Sequence, residues 1–446
     1  MRRVVTRLAT FSPAQTVPQW RGVLADVGQM DAETLGSSIR KALTEGDFGQ
    51  EKWSSCAERA SELAANLSLD QSARLAAVFS TARVMDFDLF TRLSERVMEC
   101  LHEEPQVQPT AVDLRRLAIA FGHTKMFDGE LMEALVPHIV DRVEDFRPRD
   151  LARIISAYAR LPVQSPELFA LVADALPQYF YDLSPPELVG VCRAFAEAAV
   201  YNADLIDSIC ADVVSRIRNF GALECLVFLE GLALLNEGLP EEMQRNDHET
   251  LAEVLRHLGR LLSVFSMQEM VRTFAALVQL DHYDVNMIHG RLIPSITQKL
   301  VQGQERVTFH TLAELLHCLG LMPSQSHASA ELAITAMAFL RHRGRSWVPS
   351  EPRDVTLVAT AMSELGQEDD EIYAMLLAMI RPKTSAESFT SESHPVLDLA
   401  AMASDQELMD MHRAFWLSKK GATAVLVLDA EIRKRGLSNL PKRDRL

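Results

Sequence analysis

A short sequence pattern recurs along this chain at nearly constant spacing, and this repeat limits the folds that the chain can adopt. Four copies align without gaps and begin at Leu114, Leu151, Leu188 and Cys225, so that successive copies are 37 residues apart. Weaker copies begin at Leu35, Leu75, Met270, Leu312 and Val355, and the intervals in the whole set run from 37 to 45 residues. A fixed period of this length is typical of helical-repeat proteins, in which one repeat is one pair of helices.

Each copy has the features of an amphipathic helix that packs closely against a neighbour. The first residue of a copy, which we call the anchor, is apolar, and so are the residues three, four and seven positions later, which lie on one face of a helix. The residue six positions after the anchor is small, as at Ala157, Ala194 and Gly231. A capping Ser or an N-terminal Pro, followed by an acid, precedes the anchor, as in Ser184 to Glu187, and predicts a helix start there.

A second segment with helical apolar spacing follows each copy, as in Leu168 to Phe180 and Leu205 to Ile217. Neither helix of such a pair buries its apolar face alone, whereas stacked pairs share one continuous core. We therefore predict an all-α protein, a right-handed-type α-solenoid of about nine two-helix repeats, over residues 26–380. A flexible Ser-rich loop at 381–394 and C-terminal helices with a basic tail at 395–446 are predicted to follow it.

Composition and motifs argue against several classes of protein. The six cysteines include no Cys-x-x-Cys pair, which argues against a disulfide scaffold or a zinc site. The sequence has no uninterrupted apolar run of about 18 residues. It also has no Gly-rich phosphate loop, no Gly-x-Ser-x-Gly and no His-Glu-x-x-His. We predict that the protein is not an enzyme and has no catalytic residue, no metal site, no cofactor, no small-molecule substrate and no membrane contact.

Charge is distributed unevenly along the chain. The first 25 residues contain Arg2, Arg3, Arg7 and Arg21 and no acid, which is typical of a mitochondrial transit peptide, although a frayed basic N-terminus has the same composition. The last 36 residues contain nine Lys and Arg but only three Asp and Glu, whereas the whole chain has a net charge of −16. The body between these ends is therefore strongly acidic and repels phosphate backbones at long range, so RNA contacts are expected to be local.

Arginines on the first helix of each pair are the best candidates for such contacts. The exposed side of this helix is predicted two, five and nine positions after the anchor, and it holds Arg116, Arg153, Arg160, Arg193 and Arg272. Planar guanidinium groups suit phosphate oxygens, but ordinary surface arginines in i,i+4 ion pairs are the alternative. Further basic candidates are Arg343 and Arg345, close to Trp347, and Lys419 and Lys420 in the tail. For the cluster before Trp347, stabilisation of a helix C-terminus is the alternative.

Three tracts carry a resemblance to a known group of proteins. They are Asp145 to Leu161, Leu183 to Ala196 and, less closely, Phe265 to Ala275, in which a helix end, an acid before the anchor and a small–aromatic–Ala sequence follow each other. The pattern resembles the heptatricopeptide-like helical repeats of mitochondrial RNA-metabolism proteins, a group that includes RAP-domain and FAST-kinase-like proteins and protist mitochondrial relatives. The resemblance covers about residues 30–380, but residues 394–446 show no recognisable RAP domain.

The resemblance implies a non-catalytic subunit of an RNA-processing, RNA-editing or ribosomal assembly in the mitochondrial matrix. Its partners would be other proteins of that assembly, with RNA as a further ligand. The alternative is a purely protein-binding scaffold of the HEAT or armadillo kind without RNA contact. The acidic body favours the alternative for direct binding, while the repeat pattern favours the first hypothesis for the pathway.

Overall fold

The computed structural model describes residues 27–45, 50–84, 86–103, 108–123, 128–161, 165–240, 244, 248–303, 306–323, 326–343, 351–367, 369–380, 399–418 and 421–437. Within these residues every regular element is a helix, which confirms the all-α prediction. The predicted transit peptide at 1–25 and the predicted loop at 381–394 lie outside the described residues. The chain forms two compact units, residues 1–176 and 177–446.

The helices of the first unit alternate between the first and the second member of a pair. They are α1 (Ala32–Glu45), α2 (Gln50–Leu63), α3 (Leu69–Ala82), α4 (Phe87–Glu103), α5 (Ala111–His123), α6 (Gly129–Val140), α7 (Pro148–Tyr158) and α8 (Pro166–Ala175). Each odd-numbered helix packs against the next odd-numbered one, from α1 through α7, and the even-numbered helices do the same. This regular progression forms two layers with the apolar core between them.

The second unit continues the alternation. Its longer helices are α9 (Pro185–Glu197), α10 (Ala203–Ser215), α11 (Ala222–Glu237), α12 (His248–Leu261), α13 (Met267–Gln279), α14 (Ile293–Gln302), α15 (Phe309–Leu321), α16 (His327–Arg343), α17 (Pro352–Glu364), α18 (Asp370–Ile380), α19 (Asp405–Leu417) and α20 (Ala422–Lys434). Short helical segments at Val285–Met287 and Leu399–Met402 precede α14 and α19. A π-helical turn, Ile288–Leu292, precedes α14. The odd-numbered helices again pack in order, from α9 through α19. The predicted all-α solenoid of helix pairs is therefore confirmed. Among the described residues, the first unit contains four pairs and the second contains six, and α19–α20 is a pair in addition to the nine that the sequence predicted.

The capping residues of the first helices locate the anchors more accurately than the apolar pattern does. The hydroxyls of Ser68, Ser266 and Ser404 accept hydrogen bonds from backbone N–H groups three residues later, in reciprocal capping boxes. The anchor lies four residues after each cap, as Met270 does after Ser266. In the second pair this position is Ser72, which is completely buried, so the copy predicted to begin at Leu75 was misplaced by three residues. Ser72 is polar, and a search for apolar anchors does not find it.

The small residues predicted on the first helices lie where neighbouring helices approach most closely. A Cβ atom added at Gly122 of α5 would lie 2.5 Å from the Cβ of Ala157 on α7. In the second unit, a Cβ atom added at Gly231 of α11 would lie 3.3 Å from the Sγ of Cys192 on α9. The backbones of successive first helices are therefore almost in contact at these positions, where larger side chains would force them apart.

A recurring hydrogen bond ties the two helices of a pair together. Among the described residues, this hydrogen bond occurs in five helix pairs. The donor is a basic side chain in the second half of the second helix, or just after that helix. The acceptor is the carbonyl oxygen of the residue that precedes the N-cap of the first helix. The donors are Arg59, Arg96, Arg216, His257 and Arg435, and their respective acceptors are Met30, Leu67, Leu183, Phe220 and Ala403. These basic residues are therefore engaged inside the fold, and each satisfies a carbonyl group at a helix start.

Candidate interaction surface on the first helices

The first helices of the second unit carry a row of charged side chains, which lies on their outer face from α9 to α15 and ends at a buried carboxylate on α17. We call this row the charged ladder, and its residues are Glu197 and Arg193 on α9, Glu230 on α11, Arg272 on α13, His310 and Glu314 on α15, and Asp354 on α17. The anchors of these helices point into the core, so residues two and five positions later reach the opposite, outer side. Stacking of the pairs then brings residues that are about 40 positions apart in sequence into contact.

The centre of the charged ladder is an ion pair with two hydrogen bonds. Arg272 donates from Nε to Oε1 of Glu230 at 2.6 Å and from Nη2 to Oε2 at 2.7 Å. These hydrogen bonds raise the pKa of the Arg272 guanidinium above its ordinary value. Arg193 donates to Glu197 at 2.6 Å and lies 3.8 Å from the same Glu230 carboxylate. Glu230 therefore shares its charge between two arginines from neighbouring helices.

A histidine and two acids continue the charged ladder. The Nδ1 atom of His310 lies 2.7 Å from Oδ1 of Asp354, and its Nε2 atom lies 3.6 Å from Oε1 of Glu314. Burial lowers the pKa of His310, but the hydrogen bond with Asp354 and the charge of Glu314 outweigh it, so the net shift is upward. For the Glu314 carboxyl group, burial has the opposite effect and raises the pKa. The side chain of Asp354 is 1% exposed, so a charged His310 compensates a buried carboxylate.

This arrangement predicts a pH-dependent contribution of His310 to stability. Because the folded state raises the pKa of His310, the stabilisation is fully present below the ordinary histidine pKa of about 6.5 and is lost as pH rises through the higher folded value. Replacing His310 with Gln should therefore lower the melting temperature more at pH 5.5 than at pH 9. His327→Gln, at a side chain that is 97% exposed, is the control and should have little effect at either pH. An equal loss at both pH values for His310→Gln would contradict the assignment.

The first unit has a shorter row of the same kind. Arg116 on α5 lies 3.3 Å from carboxylate oxygens of both Asp70 on α3 and Asp113 on its own helix. Arg115 lies 3.2 Å from Asp150 on α7. Ion pairs therefore link successive first helices in both units, and the arginines face carboxylates supplied by the same fold.

The structure gives different surroundings to the arginines and lysines predicted to bind RNA. Arg116, Arg193 and Arg272 are engaged with carboxylates in these rows. Arg153 on α7 and Arg160 just after it are exposed. The side chain of Arg343 and the residues Arg345, Lys419 and Lys420 lie outside the described part of the chain. RNA binding by these residues stays a prediction.

Polar and charged side chains contribute to two clefts along the helices that the structure describes. One, of about 270 Å³, lies over the charged ladder and is lined by Glu230, Arg272, His310 and Glu314 together with Gln268, Ala275, Ala276 and Gln279. The other, of about 460 Å³, lies between α4 and α6 and is lined by Ser94, Glu95, Met98, Glu99, His102, Asp128 and Glu130.

The chemistry-bearing side chains of the described residues are dispersed or buried. No group of three His, Cys, Asp or Glu residues in the described ranges has a geometry that suits a metal ion. All six cysteines are buried thiols. Burial raises the pKa of Cys225 to about 12 and raises those of Cys192 and Cys318 further, which disfavours the reactive thiolate. None of the described helices is long and apolar enough to cross a membrane.

Stacked helix pairs, with ion pairs between successive first helices, define a helical-repeat protein. A family model for the RNA-editing substrate-binding complex 6 protein matches residues 35–263, about half of the chain. The chain therefore belongs to this family. The family confirms the part of the resemblance that concerns RNA metabolism, while the heptatricopeptide-like relationship stays a prediction. No curated protein matches the sequence.

Proposed function

We propose that the protein is a non-catalytic scaffold subunit of a mitochondrial RNA-editing assembly and holds other proteins of that assembly on its helix pairs. The observation that carries the proposal is the neutralisation of the outer-face arginines. Glu230 engages both Arg193 and Arg272, and Glu197 also engages Arg193. Asp70 and Asp113 engage Arg116, so a phosphate group would have to displace carboxylates to reach these three arginines. Family membership supports the pathway, and the ion pairs and the acidic body support a role in binding proteins.

Direct RNA binding is a second candidate function, and one observation favours it. Arg153 on α7 and Arg160, two residues after the end of this helix, are both exposed. Two exposed guanidinium groups on one segment of the chain suit contacts with the phosphates of a single strand. This function would be added to the scaffold and would not replace it.

A filter-binding titration with the purified chain and single-stranded RNA separates the two functions. A scaffold without RNA contact predicts no retention of RNA near a salt concentration of about 50 mM, the low end of the usual range. Direct binding predicts retention that falls steeply as salt rises and that is weakened by Arg153→Glu together with Arg160→Glu. Arg74→Glu, at an arginine paired with Asp70, is the matched control. Tight, salt-dependent binding that the double variant abolishes would overturn the scaffold-only form of the proposal.

A further inference from the structure

A short helical turn precedes each of the first helices α9, α11 and α13 and presents one side chain at the same place. The three turns are Pro177–Asp182, Ile217–Asn219 and Leu262–Val264. In each of them, the backbone N–H of the residue before the next N-cap donates to the carbonyl oxygen three residues earlier, at 3.0 to 3.1 Å. The residue three positions before the N-cap therefore has an equivalent backbone setting in each turn. In chain order, this residue is Tyr181, Arg218 and Ser263.

The first of these side chains, Tyr181, is an exposed aromatic ring that a fixed arginine orients. Tyr181 is 81% exposed, whereas Phe180 and Leu183 on either side of it are buried. The guanidinium of Arg216 donates to the carbonyl oxygens of both of these buried residues, and it also donates to Asp212. The central carbon of the same guanidinium lies 5.7 Å from the centre of the Tyr181 ring, within the range of a cation–π contact. A cation that is itself bonded to the backbone around Tyr181 therefore holds the ring in place.

The second of these side chains, Arg218, carries a positive charge at the equivalent place on the next helix pair. It is exposed, and no carboxylate of the described residues forms an ion pair with it. Arg216 and the arginines of the charged ladder, by contrast, are paired with carboxylates. The exposed residues of the two turns are Gln178, Tyr179, Tyr181, Asp182, Arg218 and Asn219. They are polar or aromatic and none is aliphatic, so the two turns do not form the apolar centre of a typical protein interface.

We propose that Tyr181 and Arg218 form a binding site for single-stranded RNA, in which a base stacks on the Tyr181 ring and a phosphate group binds Arg218. An aromatic ring offers a stacking surface to any base, and an exposed guanidinium suits phosphate oxygens. The adjacent Asp182 can accept a hydrogen bond from the amino group of a base. The site lies outside the charged ladder, and it goes beyond the proposed scaffold function, which does not depend on it.

A single strand fits these two groups better than a duplex does. The bases of a duplex are stacked on one another, so only an unpaired base can lie on a protein ring. Tyr181 and Arg218 lie at equivalent places on α9 and α11, which pack side by side. Packed helices are about 8–10 Å apart, a span that a short stretch of an extended strand covers. The site is also local, as the acidic body of the chain requires of any RNA contact.

Fluorescence anisotropy with the purified full chain tests the proposed site. The probe is a labelled single-stranded RNA of mixed sequence and about 16 nucleotides, at a salt concentration of about 50 mM. Tyr181→Ala should weaken binding about 5- to 100-fold, the effect of losing one stacked base, whereas Tyr181→Phe should bind like the wild type. Arg218→Gln should weaken binding and reduce the slope of log affinity against log salt by about 0.7, the share of one phosphate contact. Arg256→Gln, at an exposed arginine paired with Glu253, is the matched control and should change neither quantity.

Photo-cross-linking locates the bound RNA independently of these variants. RNA that contains 4-thiouridine is irradiated in the complex, and the proposal predicts an adduct within residues 177–184. No binding by the wild-type chain, or Tyr181→Ala binding as tightly as the wild type, would overturn the proposal. So would Tyr181→Phe losing as much affinity as Tyr181→Ala, or adducts confined to other segments such as the one around Arg153.

The melting temperatures of the variants and the proteins that copurify with them complete the test. Because Tyr181 and Arg218 are exposed, their variants should melt at the wild-type temperature. If Tyr181→Ala released a copurifying protein and left RNA binding unchanged, this surface would be a protein contact and the proposal would be wrong. Failure of the RNA site leaves the scaffold function standing, since that function is tested by copurification of other proteins.

Discussion

Replacing Arg216 with Met is expected to lower the free energy of unfolding of the second unit by about 3–5 kcal/mol, as for other buried ion pairs that lose one partner. Arg216 donates from Nε to Oδ2 of Asp212 at 2.8 Å, from Nη1 to the carbonyl oxygen of Leu183 at 3.1 Å and from Nη2 to that of Phe180 at 3.2 Å. The side chains of Arg216 and Asp212 are only 15% and 9% exposed, respectively. The variant therefore leaves a buried carboxylate and two carbonyl groups without their donor.

Urea unfolding followed by circular dichroism measures the effect of this substitution. Arg218→Met is the matched control because Arg218 is exposed two residues away, and its effect should stay within about 0.5 kcal/mol, as is usual for surface positions. The two compact units need not unfold in one step, so the midpoint of each transition is compared between variants. An Arg216→Met variant as stable as Arg218→Met would contradict the role assigned to the bonds between the two helices of a pair.

Replacing Gly122 with Ala is expected to destabilise the first unit by about 1–3 kcal/mol, the usual cost of overpacking a close contact. The new Cβ atom would lie 2.5 Å from the Cβ of Ala157 and 3.0 Å from its Cα, so α5 and α7 must move apart. Because the obstacle includes backbone, rotation of a flexible side chain does not relieve the clash.

The control for Gly122 is a glycine in a helix of the same unit without such a contact. A Cβ atom added at Gly36 of α1 meets only Leu75 Cδ2, at 4.0 Å. Gly36→Ala should therefore stabilise the protein by about 0.5–1 kcal/mol, because alanine loses less backbone entropy in a helix. Thermal unfolding of the two variants should move in opposite directions. If Gly122→Ala also stabilised the protein, the close approach of successive first helices would be refuted.

The periodicity of the sequence was sufficient to predict the helix pairs and the order in which they pack. Equal intervals between Leu114, Leu151, Leu188 and Cys225 reflect a repeated structural unit, and each of these residues lies buried on a first helix. The pattern failed where a copy departs from its apolar rule, as at Ser72, or where the interval is stretched. Leu408, the anchor of α19, comes 53 residues after Val355, because residues 381–398 intervene. The Ser404–Glu407 capping box was the signal that could have located it.

Less of the charged ladder could be predicted, because its contacts join residues far apart in sequence. The spacing correctly placed Arg193 and Arg272 on the outer face, but Glu230 and Arg272 are 42 positions apart and His310 and Asp354 are 44 apart. An arginine pattern read along one helix does not reveal a carboxylate on the next. The acidic composition of the body was the available signal, and it indicated that carboxylates would be near most basic groups.

The contacts of the basic residues explain why membership of an RNA-editing protein family does not by itself imply that this chain contacts RNA. Residues such as Arg96, Arg216 and Arg435 bond to backbone carbonyl groups, and others such as Arg272 bond to carboxylates. These contacts stabilise the stack of helix pairs and occupy the donors that a phosphate would need. A scaffold that joins RNA-binding proteins is consistent with this use of charge.

Affinity purification of the tagged full-length chain from mitochondria, with and without ribonuclease, tests the scaffold proposal most directly. The proposal predicts that proteins of an RNA-editing assembly copurify with the chain in comparable amounts and remain bound after ribonuclease treatment, because they contact the helix pairs themselves. Release of these proteins by ribonuclease, or their absence from the purified material, would contradict it.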